Sequence, residues 1–256
     1  MRRKKTVTHA TTPRPLSTTK AGRLSGRLRV PGDKSISHRA LMLGALATGR
    51  TTIKGLLEAE DVLNTAKAVT ALGAPAVKTG ETWVVTGRGT GGLAQPSAPL
   101  DFGNAGTGTR LMMGVIAGHD ITVELTGDAS LSRRPMGRVL KPLKQMGLET
   151  IPEGKETLPL TIRGSSRLTP IEYVLPVASA QVKSAILLAG LNAPGATTVI
   201  EKEATRDHTE RMLRYFGAEV TTVARDGSTR ITVKGEAELE GRDVTVPGDP
   251  SSAAFL

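Results

Sequence analysis

Ala40-Leu41-Met42-Leu43-Gly44-Ala45-Leu46-Ala47 is an apolar run without a polar face. A helix that is apolar all round is buried on every side, and this one is far too short to cross a bilayer, so it belongs in a protein core. Two runs of the same kind follow, Leu111-Met112-Met113-Gly114-Val115-Ile116-Ala117-Gly118 and Ala185-Ile186-Leu187-Leu188-Ala189-Gly190-Leu191. They mark a unit that occurs three times, beginning near Lys34, Gly106 and Ser179, a little over seventy residues apart.

Outward from these helices the units stay parallel. Each helix leads to a run alternating in the strand period: Thr51 to Gly55, Ile121 to Leu125, and Thr197 to Glu201. Each run leads to an amphipathic helix that stops at glycine, the residue that most readily ends a helix. These helices run from Asp61 to Leu72 before Gly73, from Met136 to Met146 before Gly147, and from Thr205 to Phe216 before Gly217. Two further strands close each unit, among them Trp83 to Thr86, Leu158 to Ile162 and Arg230 to Val233. The pattern predicts an α/β fold of three β-α-β-α-β-β repeats, with buried helices inside and sheets outside.

The chain has 256 residues, 38% hydrophobic and 23% charged, ordinary values for a soluble globular protein of one large or two small domains. It has no cysteine, which excludes disulfides, cysteine metal sites and cysteine nucleophiles and fits a reducing compartment; a cytoplasmic location is expected. A net charge of +10 suggests nucleic acid, but three Phe, two Tyr and one Trp offer few stacking platforms. The basic residues are also spread out, apart from Arg2-Arg3-Lys4-Lys5, and small anionic substrates explain the charge equally well. Residues 1–24 contain no acid and lack the apolar face of a transit peptide, so a disordered basic tail is expected there.

Pro31-Gly32-Asp33-Lys34-Ser35-Ile36-Ser37-His38-Arg39 runs from a strand-like Leu28-Arg29-Val30 into the first apolar helix, and a Pro-Gly turn before Ser and helix formers signals a helix start. Helix starts leave backbone N–H groups unpaired and carry partial positive charge. With Lys34, Ser35 and Arg39 added, the segment suits phosphate or carboxylate; alone, it reads better as a solvated basic cap. Threefold symmetry places it beside Asn104-Ala105-Gly106-Thr107-Gly108 and Ser179-Ala180-Gln181, at the other two helix starts. Each of those is alone a turn or a cap, but three on one face concentrate an anion site. Arg134 and Arg206, near the starts of two amphipathic helices, add bidentate phosphate donors, with Arg133 a solvated neighbour. His38, His119 and His208 lack metal-ligand spacing and are read as surface or structural residues. No phosphate loop of the nucleotide-hydrolase type, dinucleotide fingerprint or hydrolase elbow is present.

Six motifs then carry a resemblance: residues 31–39; Gly-Asn-Ala-Gly-Thr-Gly at 103–108; Gly-Asp-Ala-Ser-Leu-Ser-Arg-Arg-Pro-Met at 127–136; Ala-Ser-Ala-Gln-Val-Lys-Ser at 178–184; Thr-Arg-Asp-His-Thr-Glu at 205–210; and Pro-Gly-Asp-Pro-Ser-Ser at 247–252. From about residue 25 to the end, the chain resembles the 5-enolpyruvylshikimate-3-phosphate (EPSP) synthases of the shikimate pathway. The resemblance implies transfer of an enolpyruvyl group from phosphoenolpyruvate to the 5-hydroxyl of shikimate 3-phosphate, with release of phosphate and without metal or organic cofactor. It implies that Lys34 touches both substrates and shares in proton transfer. Ser35, Arg39, Ser179, Ala180, Gln181 and Arg206 would hold shikimate 3-phosphate. Gly106 and Arg134, with Lys34 and Gln181, would hold phosphoenolpyruvate, with Thr107 beside them. Gly106 implies room for glyphosate, although Leu111 replaces the proline that many members carry after the residue matching Arg110.

The family fold is two inverse α/β, barrel-like domains of three repeats each, joined by two crossovers. Here these match Val30-Pro31-Gly32-Asp33 and Val246-Pro247-Gly248-Asp249. Residues 25–33 are thus expected to be a strand and first hinge of the other domain, 34–246 a three-repeat substrate-binding domain, and 247–256 the second hinge and the start of the other domain. The family's main acid/base carboxylates and further phosphoenolpyruvate-binding arginines lie in that other domain. Since Leu256 falls inside an apolar helix just begun, the chain is expected to be an N-terminal fragment, inactive alone and a weak binder of shikimate 3-phosphate. The related UDP-N-acetylglucosamine enolpyruvyl transferases lack the Lys-Ser-Ile-Ser-His-Arg run and typically use a loop cysteine. A non-catalytic phosphate-ligand-binding or complementation half is the other reading. Neither nucleic acid nor membrane is an expected partner.

Overall fold

Three units of similar make-up follow one another in the computed structural model, which describes residues 25–254 together with Ser17, Thr19, Lys20 and Gly22. The basic tail expected over residues 1–24 falls almost wholly outside the described residues. The first unit holds α1 (Lys34–Leu46), β1 (Ala47–Thr48), β2 (Arg50–Lys54), α2 (Glu60–Ala71), β3 (Ala76–Thr79) and β4 (Thr82–Thr86). The second holds β5 (Leu100–Asp101), α3 (Gly106–Ala117), β6 (Thr122–Thr126), α4 (Ala129–Ser132), α5 (Gly137–Met146), β7 (Glu149–Ile151) and β8 (Leu160–Arg163). The third holds β9 (Glu172–Val174), α6 (Ala180–Gly190), β10 (Ala196–Glu201), α7 (His208–Tyr215), β11 (Val220–Arg225) and β12 (Ser228–Lys234). β13 (Leu239–Glu240), β14 (Asp243–Thr245) and α8 (Pro250–Ala253) complete the described chain.

Apolar composition decides which helices lie inside. α1 is buried from Ser37 to Leu46, α6 from Val182 to Gly190, and α3 over ten of its twelve residues. Small residues let these helices touch through their backbones: a side chain at Gly114 of α3 would overlap the Ala185 backbone of α6. The amphipathic α5 buries Val139, Leu140, Leu143 and Met146 and ends at Gly147, whose φ of 118° is left-handed, a conformation that glycine adopts at little cost. α5 starts within one residue of its expected Met136, which caps it, whereas the third amphipathic helix starts at His208 rather than Thr205, leaving 202–207 as a loop.

The outer layer is three four-stranded sheets of one design, in the orders β14-β2-β4-β3, β5-β6-β8-β7 and β9-β10-β12-β11. In each, the short first strand runs parallel to its neighbour and the other pairs are antiparallel. The sheets are not hydrogen-bonded to one another, so the barrel-like closure expected of the domain is absent. The strand expected at Leu28-Arg29-Val30 is not formed either. A strand persists only where an edge offers free N–H and C=O groups. Leu28-Arg29-Val30 meets no such edge among the described residues, and Leu28 is left 68% exposed. No helix among the described residues is long and apolar enough to cross a membrane.

Candidate active site

The three buried helices start in different ways. At α1 the Asp33 carboxylate accepts from Ile36 N at 2.8 Å, and at α6 the Ser179 hydroxyl accepts from Val182 N at 3.4 Å. No side chain caps α3, which opens at Ala105 and Gly106. Two cavities meet at these starts. The smaller, about 260 Å³, is lined by Lys34, Asp61, Asn104, Gly106, Thr107, Arg110, Arg134 and Gln181. The larger, about 590 Å³, is lined on one side by Asp33, Lys34, Ser35, Thr107, Arg206 and His208, and on the other by residues of Pro247–Ser251. Lys34 and Thr107 belong to both walls.

The smaller cavity is cationic. Lys34, Arg110 and Arg134 face one carboxylate, Asp61, which lies 3.1 Å from Lys34 Nζ. Arg134 donates to Asn104 Oδ1 at 2.7 Å, and Asn104 is itself fixed by donating to Asp128 at 2.8 Å. Gln181 donates to the Thr107 hydroxyl at 2.9 Å, joining α6 to α3 across the opening. Burial, and then the neighbouring guanidinium groups of Arg134 and Arg138, pull the Arg110 pKa below its ordinary value. An anion placed among these groups relieves that repulsion. A methyl group on Gly106 would stand 2.9 Å from one Arg110 nitrogen and 3.1 Å from one of Arg134.

Lys34, Gly106, Thr107, Arg134 and Gln181 are therefore brought together as the sequence suggests, with Ser35 and Arg206 on the adjoining wall. Arg39 is not on either wall. It is 3% exposed, and it donates to the Thr209 hydroxyl at 2.7 Å, the Ser184 hydroxyl at 2.7 Å and the Ser35 carbonyl at 2.9 Å. Burial lowers its pKa to about 10, against the opposing pull of Glu210 and Asp33. It braces the start of α1 from beneath. The Ser179 hydroxyl is spent on its cap, and Ser179 borders a third cavity of about 700 Å³ beside Arg138 and Tyr173; Ala180 is the first residue of α6.

His38 and His119 are structural, as read: both are buried, His38 beside the Thr65 hydroxyl at 2.8 Å and His119 beside the Val115 carbonyl at 2.8 Å. His208 is half-buried and lines the larger cavity, its pKa lowered by burial and by Arg39. Asp61, Asn104 and Arg110 join the site without a strong signal of their own in the sequence: Asn104 lies within the 103–108 motif and Arg110 one helical turn after Gly106, whereas Asp61 reaches the cavity only through the packing of α1 on α2. The two Pro-Gly-Asp segments lie side by side: Gly32 and Gly248 form an antiparallel bridge, Asp33 N donates to Pro247 O at 2.8 Å, and Asp249 N donates to Pro31 O at 2.8 Å.

Three repeats whose buried helices open onto two adjoining cavities, the smaller one cationic, define an α/β protein of three-repeat class. The chain belongs to the EPSP synthase family, whose model, described as EPSP synthase (3-phosphoshikimate 1-carboxyvinyltransferase), matches residues 18–256. It is 62% identical over 245 residues to the 3-phosphoshikimate 1-carboxyvinyltransferase of Novosphingobium aromaticivorans, covering 95% of this chain and 56% of that protein. It is 59% identical over 252 residues to the protein of the same name from Rhodopseudomonas palustris, covering 97% and 57%. Among solved structures, an EPSP synthase from Acinetobacter baumannii superposes with a TM-score of 0.83 at 47% identity, over 90% of this chain and 51% of that one. The chain thus spans about half the length of the relatives it matches.

Proposed function

We propose that this chain supplies the shikimate 3-phosphate and phosphoenolpyruvate binding wall for enolpyruvyl transfer. The observation that carries the reading is Lys34, whose position on the shared wall of two cavities puts one ammonium within reach of two anionic substrates. The larger cavity takes shikimate 3-phosphate, held by Lys34, Ser35 and Arg206, with Gln181 reaching from the adjoining smaller cavity, Ser179 and Ala180 at the start of α6 and Arg39 bracing from below. The smaller takes phosphoenolpyruvate against Gly106, Thr107, Arg134 and Gln181, with Arg110 behind them; glyphosate competes there.

In the reaction, the 5-hydroxyl gives up its proton to a base as its oxygen adds to C2 of the enolpyruvyl group, whose methylene carbon gains a proton. The tetrahedral intermediate then loses phosphate and a methyl proton, which restores the double bond. Lys34 shares in the proton movement, and the cations stabilise the charge that develops on the leaving phosphate. The family's principal acid/base carboxylates lie on the half of the relatives that this chain does not span, so on this reading the chain alone binds without turnover. A cytoplasmic setting is part of the same proposal.

Calorimetric titration of the chain with shikimate 3-phosphate tests it. Lys34→Ala is expected to weaken binding by tenfold or more, the worth of one charge-assisted contact. Equal binding by the variant overturns the assignment of Lys34, and phosphate release from both substrates by the chain alone overturns its inactivity.

A further inference from the structure

Beneath the larger cavity lies a layer of buried charge that the binding reading leaves unused. Lys183, in the first turn of α6, has no exposed side-chain surface, and its ammonium lies 3.1 Å from Glu201 Oε2 and 2.7 Å from Glu210 Oε1. Glu201 is the last residue of β10 and Glu210 lies in the first turn of α7. Between them runs the 202–207 loop, which carries Arg206 to the cavity wall. Thr205 of that loop donates to Glu201 Oε2 at 2.8 Å. Arg39 enters the same layer from α1, donating to Thr209 and Ser184, so two buried cations stand against two buried carboxylates.

Buried ion pairs are often no more stabilising than apolar groups of the same volume, so stability alone is a weak account of this one. Its geometry gives a better one. A single ammonium fastens both ends of one short loop, and Glu210 Oε2 has no hydrogen-bond partner, so that carboxylate is fixed through its other oxygen, which Lys183 holds.

We propose that Lys183 is a positioning residue: by clamping Glu201 to Glu210 it closes the 202–207 loop and holds Arg206 toward the phosphate of shikimate 3-phosphate. The proposal rests on the binding reading given above. Order in the loop is settled before the ligand arrives, and affinity gains because less freedom is lost on binding.

The test uses this chain with Lys183→Met and Glu210→Gln combined, which removes one buried charge of each sign and keeps the layer neutral. Shikimate 3-phosphate is titrated into the parent, into this double variant, into Arg206→Ala, and into the combination of all three substitutions. Arg206→Ala is expected to weaken binding about tenfold, the double variant by a similar factor, and the combination no further than Arg206→Ala alone. Amide exchange over 202–207 should quicken at least tenfold in the double variant while α3 is unchanged. Parental affinity in the double variant beside a weakened Arg206→Ala overturns the clamp, and so do losses that multiply in the combination. If Arg206→Ala binds like the parent, or the parent does not bind, the binding reading fails instead; the exchange rates then decide the clamp, and unchanged rates over 202–207 overturn it. Should the double variant not fold, Glu201→Gln, which leaves the Lys183–Glu210 contact in place, is put through the same measurements with the same deciding outcomes.

Discussion

The two ends of the buried helices follow different rules. At their C-terminal ends the three units are alike. Gly87, Gly164 and Gly235 follow β4, β8 and β12, and a side chain at any of them would overlap the backbone carbonyl of Ala47, His119 or Ala193. Each glycine donates its N–H to an equivalent carbonyl: Gly87 to Gly49 at 2.9 Å, Gly164 to Ile121 at 3.0 Å, and Gly235 to Gly195 at 2.7 Å. At their N-terminal ends the units are unlike: α1 is capped by Asp33, α6 by Ser179, and α3 by no side chain. Close packing fixes backbone spacing and tolerates one residue type, so the repeat is kept there. The cavities need different donors from each unit, and there the repeat gives way.

The largest effect that would break this comparison is at the rigid end. Gly235→Ala puts a methyl group against the Ala193 backbone, which has no rotamer to move to, and should cost about 3 kcal/mol in urea unfolding. An unchanged midpoint would show that the glycine position is not constrained. Next comes His38, beneath the start of α1, whose pKa burial lowers to about 4, with Lys34 and Arg39 adding to the effect and Asp61 opposing it. The unfolded chain takes up this proton near the ordinary 6.5, before the folded chain does. Above pH 6.5 there is no penalty; below it stability falls, by about 3 kcal/mol once pH 4 is passed. His38→Gln should lack that loss, and parallel stability curves for parent and variant between pH 7 and 4 would refute it. Smallest in stability is Gly106→Ala at the variable end. Its methyl meets flexible guanidinium tips, and alanine gains up to about 1 kcal/mol of helix propensity, so unfolding should shift by less than about 1 kcal/mol. Its effect is instead on the ligand: in the chain completed with the other half of a relative, glyphosate inhibition should weaken while the protein stays folded. Equal inhibition removes the steric account.

The interior of the fold was legible because it depends on local pattern. Apolar runs without a polar face located α1, α3 and α6, and Gly147 stopped α5 where the sequence says it should. Strand pairing is not local. Leu28-Arg29-Val30 has the composition of a strand, but it meets no sheet edge among the described residues. The same division runs through the site. Repeat symmetry brought Lys34, Gly106, Thr107 and Gln181 together from their motifs. The inward aim of Arg39 depends on how α1 is rotated against α6 and α7, and the arrival of Asp61 depends on how α2 packs on α1, and no single segment encodes either.

The pairing of β14 with β2 brings the end of the three-unit body back to its beginning. The strand that opens its first sheet comes last in the chain, and the entering and leaving segments meet at Asp33 and Pro247. Such a body can sit within a host protein as a graft, attached by two neighbouring peptide connections and interrupting the host at one point. It can equally be permuted: with those ends joined and the chain opened in the exposed stretch near Glu153, each of the three four-stranded sheets would keep all its strands.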